Sequence, residues 1–302
     1  MTTFIYGIDI GGTKMELSVF DANYHCVKSW RVATPATNYP MFLNALQEMV
    51  QQADSLTDCQ GRVGIGMPGI IDKQGLVKSA NVPCATGKAI KKDIEQVLQR
   101  RIAIENDCRL FAFSESNGGA GNGYAIVYGA IIGTGAGGGL CIQGSLYSGA
   151  NNIAGEYGHL PVSAQLIAKY QLPVLDCGCG LIGCYEPYIS GPGLANIYAL
   201  YGGEPNTQIL VNQLRAGDPK AVKAFGCYID LLGASFASIV LSYDPDIIVL
   251  GGGLSKIDEI ISALPAAIEM HLFKGVQSPV IAPAIFGDAS GARGAALLGA
   301  IQ

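Results

Sequence analysis

No run of about 18 uninterrupted apolar residues occurs in this 302-residue chain, and roughly that length is needed for a helix to cross a bilayer. The nearest approach, Leu231 to Leu250, is broken by Asp244-Pro245-Asp246, so no membrane partner is expected. The first ten residues, MTTFIYGIDI, lack the basic start and apolar stretch of a signal peptide. A disulfide framework is missing as well. The nine cysteines are odd in number and unevenly spaced, which fits a reducing, cytoplasmic setting where thiolates can hold a metal. Basic patches are absent: net charge is −5, pI is near 5.2, and no Lys/Arg cluster exceeds a few residues. A nucleic-acid partner therefore has no footprint here. Histidine is scarce, and two of the three, His25 and His271, have no sequence partner and read as surface or packing residues.

What is present is apolar and glycine-rich. Hydrophobic residues make up 49% of the chain, enough for two α/β domains with separate cores. Strand-like runs at Phe4–Ile10 and Met15–Phe20 flank a glycine turn. The same plan returns at Ala125–Ile132 and Leu140–Gln143 around another glycine turn. This internal duplication predicts two similar halves facing each other across a cleft. The expected division is a small domain of residues 1–117 plus 289–302 and a large domain of 118–288, hinged at the glycine-rich stretch near 118–124.

The segment from His159 to Glu186 carries the most specific signal. Cys177, Cys179 and Cys184 form a C-x-C-x4-C cluster preceded by His159, a donor set suited to a closed tetrahedral structural Zn²⁺ site. Glu156 and Glu186 flank the ligands, so the metal would brace a carboxylate-bearing wall suited to substrate.

Three glycine turns follow strands: Asp9-Ile10-Gly11-Gly12-Thr13-Lys14, Gly133-Thr134-Gly135-Ala136-Gly137-Gly138-Gly139, and Gly251-Gly252-Gly253. Bare backbone N–H groups of this kind can converge on phosphate oxygens, although tight hairpins are also glycine-rich for steric reasons. None matches the Walker A or dinucleotide pattern. Asn106-Asp107 sits where a strand ends and a helix starts. Asp107 there reads either as part of a helix cap or as a general base toward a hydroxyl. Asp9 is similarly divided between a turn acid and a ligand to magnesium-bound water.

Together, D-I-G-G-T-K (9–14), G-I-G-M-P-G (64–69), E-N-D (105–107), I-G-T-G-A-G-G-G (132–139), G-E-Y-G-H (155–159), C-G-C-G-L-I-G-C-Y-E (177–186), L-G-G-G-L (250–254) and G-D-A-S-G-A-R-G-A-A (287–296) resemble the ROK (repressor, open reading frame, kinase) sugar-kinase family. The resemblance implies a duplicated actin-like, ribonuclease H-like ATPase fold, an ATP- and Mg²⁺-dependent reaction on a small-molecule sugar, and a homodimer. It makes Asp107 the catalytic base and gives sugar hydroxyls to Asn106, Glu156, His159 and Glu186. Zinc falls to His159, Cys177, Cys179 and Cys184, with the second ring nitrogen of His159 facing the sugar. ATP phosphates fall to Gly7, Ile8, Asp9, Ile10, Gly11, Gly12, Thr13 and Lys14, and to Gly133, Thr134, Gly135, Ala136, Gly137, Gly138, Gly139 and Leu140. Gly252, Gly253 and Leu254 would lie near the adenosine. The stretch A-N-V-P-C-A-T-G-K (80–88) is similar to bacterial N-acetyl-D-glucosamine kinases, which implies Gly69 and Asn81 as sugar-pocket residues and phosphorylation at C6. Kinases for fructose, glucose, mannose or allose share the same elements. Sugar-responsive repressors of the family carry an N-terminal helix-turn-helix, whereas this chain enters its first strand by Phe4. One departure stands out: relatives read N-D-x-N at the catalytic turn, and Arg109 replaces the second asparagine, leaving position 109 without a role.

Overall fold

The computed structural model describes residues 4–301. The first half comprises β1 (Ile5–Ile10), β2 (Lys14–Phe20), β3 (Cys26–Ala33), α1 (Tyr39–Thr57), β4 (Arg62–Met67), β5 (Ile70–Ile71), β6 (Val77–Lys78), α2 (Ile90–Leu98), β7 (Ile102–Asn106) and α3 (Asp107–Ser116). The second comprises β8 (Ile126–Ile132), β9 (Ala136–Ile142), β10 (Ser145–Tyr147), α4 (Ala164–Tyr170), α5 (Glu186–Ile189), α6 (Gly191–Leu200), α7 (Thr207–Arg215), α8 (Pro219–Tyr243), β11 (Ile247–Gly251), α9 (Asp258–Glu269), β12 (Val280–Pro283) and α10 (Ser290–Ala300). Two five-stranded sheets result, ordered β3-β2-β1-β4-β7 and β10-β9-β8-β11-β12. In each, two antiparallel pairings are followed by two parallel ones. The hairpins read as a repeat, β1–β2 and β8–β9, thus occupy equivalent places.

Helix boundaries follow local chemistry. Asn38 caps α1 by accepting from the Met41 N–H, with proline in the first turn. The stripe Phe42, Leu46, Met49, Val50 and Ala53 then faces the core. α2 is shorter than its amphipathic text at 88–101 and is held by Ile90, Ile94 and Leu98. α8 is long and apolar enough to cross a membrane, yet 72% of its most apolar window is buried inside the protein. It is the core helix of the second domain. There its Asp230 accepts from Lys169 Nζ, Tyr170 Oη and His271 Nε2 at 2.7, 2.6 and 2.7 Å, which gives His271 a partner that sequence position did not disclose.

Two helices touch the sheets at glycines. α10 returns from the far end of the chain to lie on β1 and β4, where a Cβ at Gly7 would overlap the Ala292 carbonyl and one at Gly64 the Ala295 carbonyl. α3 lies on the second sheet in the same way. A Cβ at Gly129 would sit 2.7 Å from Ala112 Cα, and one at Gly139 would sit 2.6 Å from Arg109 Cα. Both are closer than real Cβ atoms come. The two helices meet where Gly294 abuts the Leu110 backbone. At the end of α3, Glu115 is fully buried and accepts from Ala120 N, Ile285 N, Phe286 N and Ser290 Oγ. That one carboxylate ties α3, the glycine-rich stretch after it and the approach to α10.

Gly64→Ala should destabilise the protein by about 3 kcal/mol or more through backbone overlap. Gly226→Ala, in α8 with nothing within 4 Å of the added methyl, should stabilise it by roughly 0.5–1 kcal/mol. Urea denaturation of both variants measures the contrast; equal effects would remove the close helix–sheet approach as a constraint.

Candidate active site and metal centre

The C-terminal ends of β1, β4 and β7 converge on one acidic corner. Asp9 is the penultimate residue of β1, Asp107 follows β7, and Gly66 of β4 lies between them: a Cβ there would be 3.6 Å from Asp9 Oδ1 and 3.8 Å from Asp107 Cα. Burial pushes Asp9 up to about 7, helped by the Asp107 charge. Burial likewise raises Asp107, opposed by the Cys108 backbone N–H, which donates to its Oδ1 at 2.9 Å, and by Arg109. Two half-buried carboxylates that feel each other's charge are a natural seat for a divalent cation.

At the strand–helix junction the capping reading holds, and it falls on Asn106. Asn106 is the cap, its Oδ1 accepting from Arg109 N at 3.1 Å while Nδ2 donates to Gly69 O at 3.1 Å. Asp107 is the first helical residue, leaving one carboxylate oxygen clear of the backbone bond. Gly69 has φ +109°, and a Cβ there would strike Lys78 and Ser79. Asn81 leans on the first glycine turn, its carbonyl 2.9 Å from where a Gly12 Cβ would be. Gly69, Asn81 and Asn106 therefore share one wall with that turn.

The His159 cluster passes a donor-geometry test for zinc. Bond lengths of about 2.3 Å to sulfur and 2.0 Å to nitrogen put tetrahedral thiolates about 3.8 Å apart and imidazole to thiolate about 3.5 Å. Cys179 and Cys184 sulfurs are 3.8 Å apart, and His159 Nδ1 is 3.5 Å from Cys177 Sγ. All four ligand atoms lie within 4.8 Å of one another. Burial pushes the Cys184 thiol up to about 12 and raises Cys177, whereas at Cys179 burial is outweighed by the Leu181 backbone and the neighbouring thiols, which lower it; three thiolates this close require a cation to coexist. His159 Nε2 then points the other way, 3.8 Å from Glu156 Oε2. Glu156 itself is pushed up by burial, opposed by His159 and Arg109.

Glu186 spans two walls. Its Oε1 is 3.7 Å from Cys177 Sγ, and its Oε2 accepts from Ala136 N at 3.0 Å on the second glycine turn. The glycines of that segment divide by position. Gly133, Thr134 and Gly135 form the turn, closed by Gly133 N to Gly135 O at 2.9 Å. Gly137, Gly138, Gly139 and the buried Leu140 belong to β9, which starts four residues before the expected return strand. There Gly137 faces Cys108 Sγ and Gly139 faces Arg109. Those glycines serve helix packing. Similarly Gly7, Ile8 and Ile10 lie inside β1, while Thr13 and Lys14 are exposed at its turn. Gly133 also neighbours Gly252 and Gly253, and Leu254 is buried beneath them, bringing the second and third turns side by side.

The whole chain from residue 5 to 301 matches the model of the ROK family. The chain belongs to the ROK family. N-acetylgalactosamine kinase AgaK of Shewanella sp. (strain ANA-3) is 51% identical over 97% of this chain and 96% of its own length. An N-acetyl-D-glucosamine kinase of Yersinia pseudotuberculosis serotype O:3 (strain YPIII) is 42% identical over 97% and 98%. Among solved structures, a ROK family glucokinase from Streptomyces griseus in complex with glucose and AMPPNP superposes with a TM-score of 0.80 at 27% identity, covering 100% of both chains. The architecture is thus the actin-like, ribonuclease H-like ATPase fold, with two sheet-bearing domains flanking a cleft.

Sequence reading missed the contacts that cross this cleft. Ser148 Oγ donates to Glu105 Oε2 at 3.0 Å, and Asn152 Nδ2 donates to Ile71 O at 2.9 Å. Their partners lie 43 and 81 residues away, and no local pattern marks them.

Two outcomes follow from this geometry. Cys179→Ser should lose bound zinc and lower the melting temperature; one zinc per chain by elemental analysis would exclude the ligand set. Asp9 holds its proton to higher pH folded than unfolded, so its contribution to stability falls as pH rises from about 4 to about 7. In chelator, Asp9→Asn should gain about 1–3 kcal/mol over the native protein at pH 8 and much less at pH 5. A gap that stays constant with pH would remove the buried-pair assignment.

Proposed function

We propose that this protein is an ATP- and Mg²⁺-dependent kinase that phosphorylates the C6 hydroxyl of an N-acetylated hexosamine. The observation that carries the reading is Asp107. It opens α3 across Gly66 from Asp9 of the first glycine turn, and its charge acts on Glu156. Asp107 takes the hydroxyl proton as the sugar oxygen attacks the γ-phosphorus in line; the bond to the β-phosphate oxygen breaks and ADP leaves. Magnesium supplies charge neutralisation on the phosphates. Asp9, paired with Asp107 across Gly66, would hold it through water. Thr13, Lys14 and the N–H groups of Thr134 and Gly135 offer donors to the phosphates. His159 would hold zinc through Nδ1 and present Nε2 to a sugar hydroxyl, with Glu156 and Asn106 adding acceptors and donors beside it. Positioning of this kind can contribute roughly 7–11 kcal/mol.

The stretch at 80–88 pointed to N-acetylglucosamine. The greater likeness to an N-acetylgalactosamine kinase, 51% against 42% over nearly the same length, supports its C4 epimer as the preferred sugar, with N-acetylglucosamine as the second reading. A coupled ADP-release assay over both epimers, N-acetylmannosamine and the neutral hexoses should give the highest kcat/KM with N-acetylgalactosamine. A neutral hexose in first place would overturn the amino-sugar assignment. Asp107→Asn should cut kcat by at least about 10³-fold while sugar affinity stays within severalfold; retained turnover would take the base role from Asp107.

A further inference from the structure

Arg109 is the charged side chain of the catalytic turn to which the reaction above gives no task. It is 1% exposed. Its Nη2 is 3.1 Å from Glu105 Oε1, at ion-pair distance but off the direction of a hydrogen bond, and Nε and Nη1 have no acceptor among the described residues. A guanidinium stays charged and offers five donors in a rigid fork. Keeping such a group inside on one carboxylate contact is poor for stability compared with an apolar side chain of similar size. Its place is nonetheless tightly set: Asn106 caps its backbone N–H, and the missing Cβ of Gly139 makes room for its Cα and Cγ.

The partner carboxylate leads across the cleft. Glu105 Oε1 also accepts from Asn106 N at 2.7 Å, and Oε2 accepts from Ser148 Oγ at 3.0 Å. Ser148 opens the loop after β10. Its carbonyl accepts from Ala154 N at 3.2 Å, and within the loop Asn152 reaches Ile71 O. Two residues after Ala154 comes Glu156. A continuous path of contacts therefore runs from the helix bearing the base to the loop that delivers a sugar-side carboxylate.

We propose that Arg109 is a positioning residue for sugar binding: by fixing Glu105 it anchors Ser148, and through the 148–155 loop it sets where Glu156 meets the sugar. The kinetic half of the test rests on the sugar-kinase reading; the structural half does not. Arg109→Met keeps length and burial while removing charge and donors. It should raise the sugar KM about tenfold or more while the ATP KM stays within about threefold. Arg109→Lys should recover part of the loss. Ser148→Ala should raise the sugar KM as well, and the double variant should be no worse than Arg109→Met, because both cut one path. Additive losses, or an unchanged sugar KM, would overturn the inference.

Amide exchange over residues 148–155, measured without sugar or nucleotide, should quicken about tenfold in Arg109→Met and in Ser148→Ala; protection equal to the native protein would overturn it independently of turnover. A native protein that phosphorylates no amino sugar, yet shows the exchange effect, would sink the substrate reading alone. Should Arg109→Met fail to fold, Glu105→Gln and Ser148→Ala put the same path to both measurements.

Discussion

Everything in the site hangs on how closely α3 lies against the second sheet. Gly129 and Gly139 lack the Cβ atoms that would hold the helix off, so its backbone rests almost on the strands. Interiors packed at crystal-like density transmit such a contact with little slack. That fixes the first turn of α3, and with it the Asn106 cap, Asp107 and Arg109. The far end of the same helix is pinned by Glu115, with four donors on a fully buried carboxylate. A helix clamped at both ends and crossing from one domain to the other gives Asp107 a definite address relative to both.

The metal cluster acts on the opposite wall through a shared boundary. His159 has one ring nitrogen among the thiolates and the other toward Glu156, while Glu186 has one oxygen near Cys177 and one on the Ala136 N–H. The metal scaffold thus borders Glu156 and, at the start of β9, the second glycine turn at once. Ligand sets with neighbours in such contact orient the reacting groups as well as the metal.

Much of this was legible because it is local. Cysteine spacing, the Gly-Glu-x-Gly-His run and the strand–Asn-Asp–helix junction each lie within about ten residues; His159 and the three cysteines come together, and α3 begins where β7 ends. The duplicated hairpin was readable because the β-period returns around equivalent glycines. The glycines themselves were not. Gly133 to Gly139 is one uninterrupted run of small residues, and nothing in it tells that Gly135 turns while Gly137 and Gly139 lie flat in β9 beneath Cys108 and Arg109. What a glycine admits is known only when the neighbour arrives. The same holds for Arg109, whose buried state depends on Glu105 and on the room at Gly139. The preferred epimer of the sugar is a matter of a single hydroxyl direction, which no motif in the chain encodes.

The return of α10 to Gly7 and Gly64 bears on how the chain is made. As translation proceeds from the N-terminus, strands β1, β4 and β7 leave the ribosome long before the helix that covers one of their faces. The second sheet, by contrast, has its α3 cover already synthesised when β8 emerges. Domains fold as units during synthesis when their parts are available, so here the later-made domain is set to close first. The earlier one must wait, one apolar face bare, for α10.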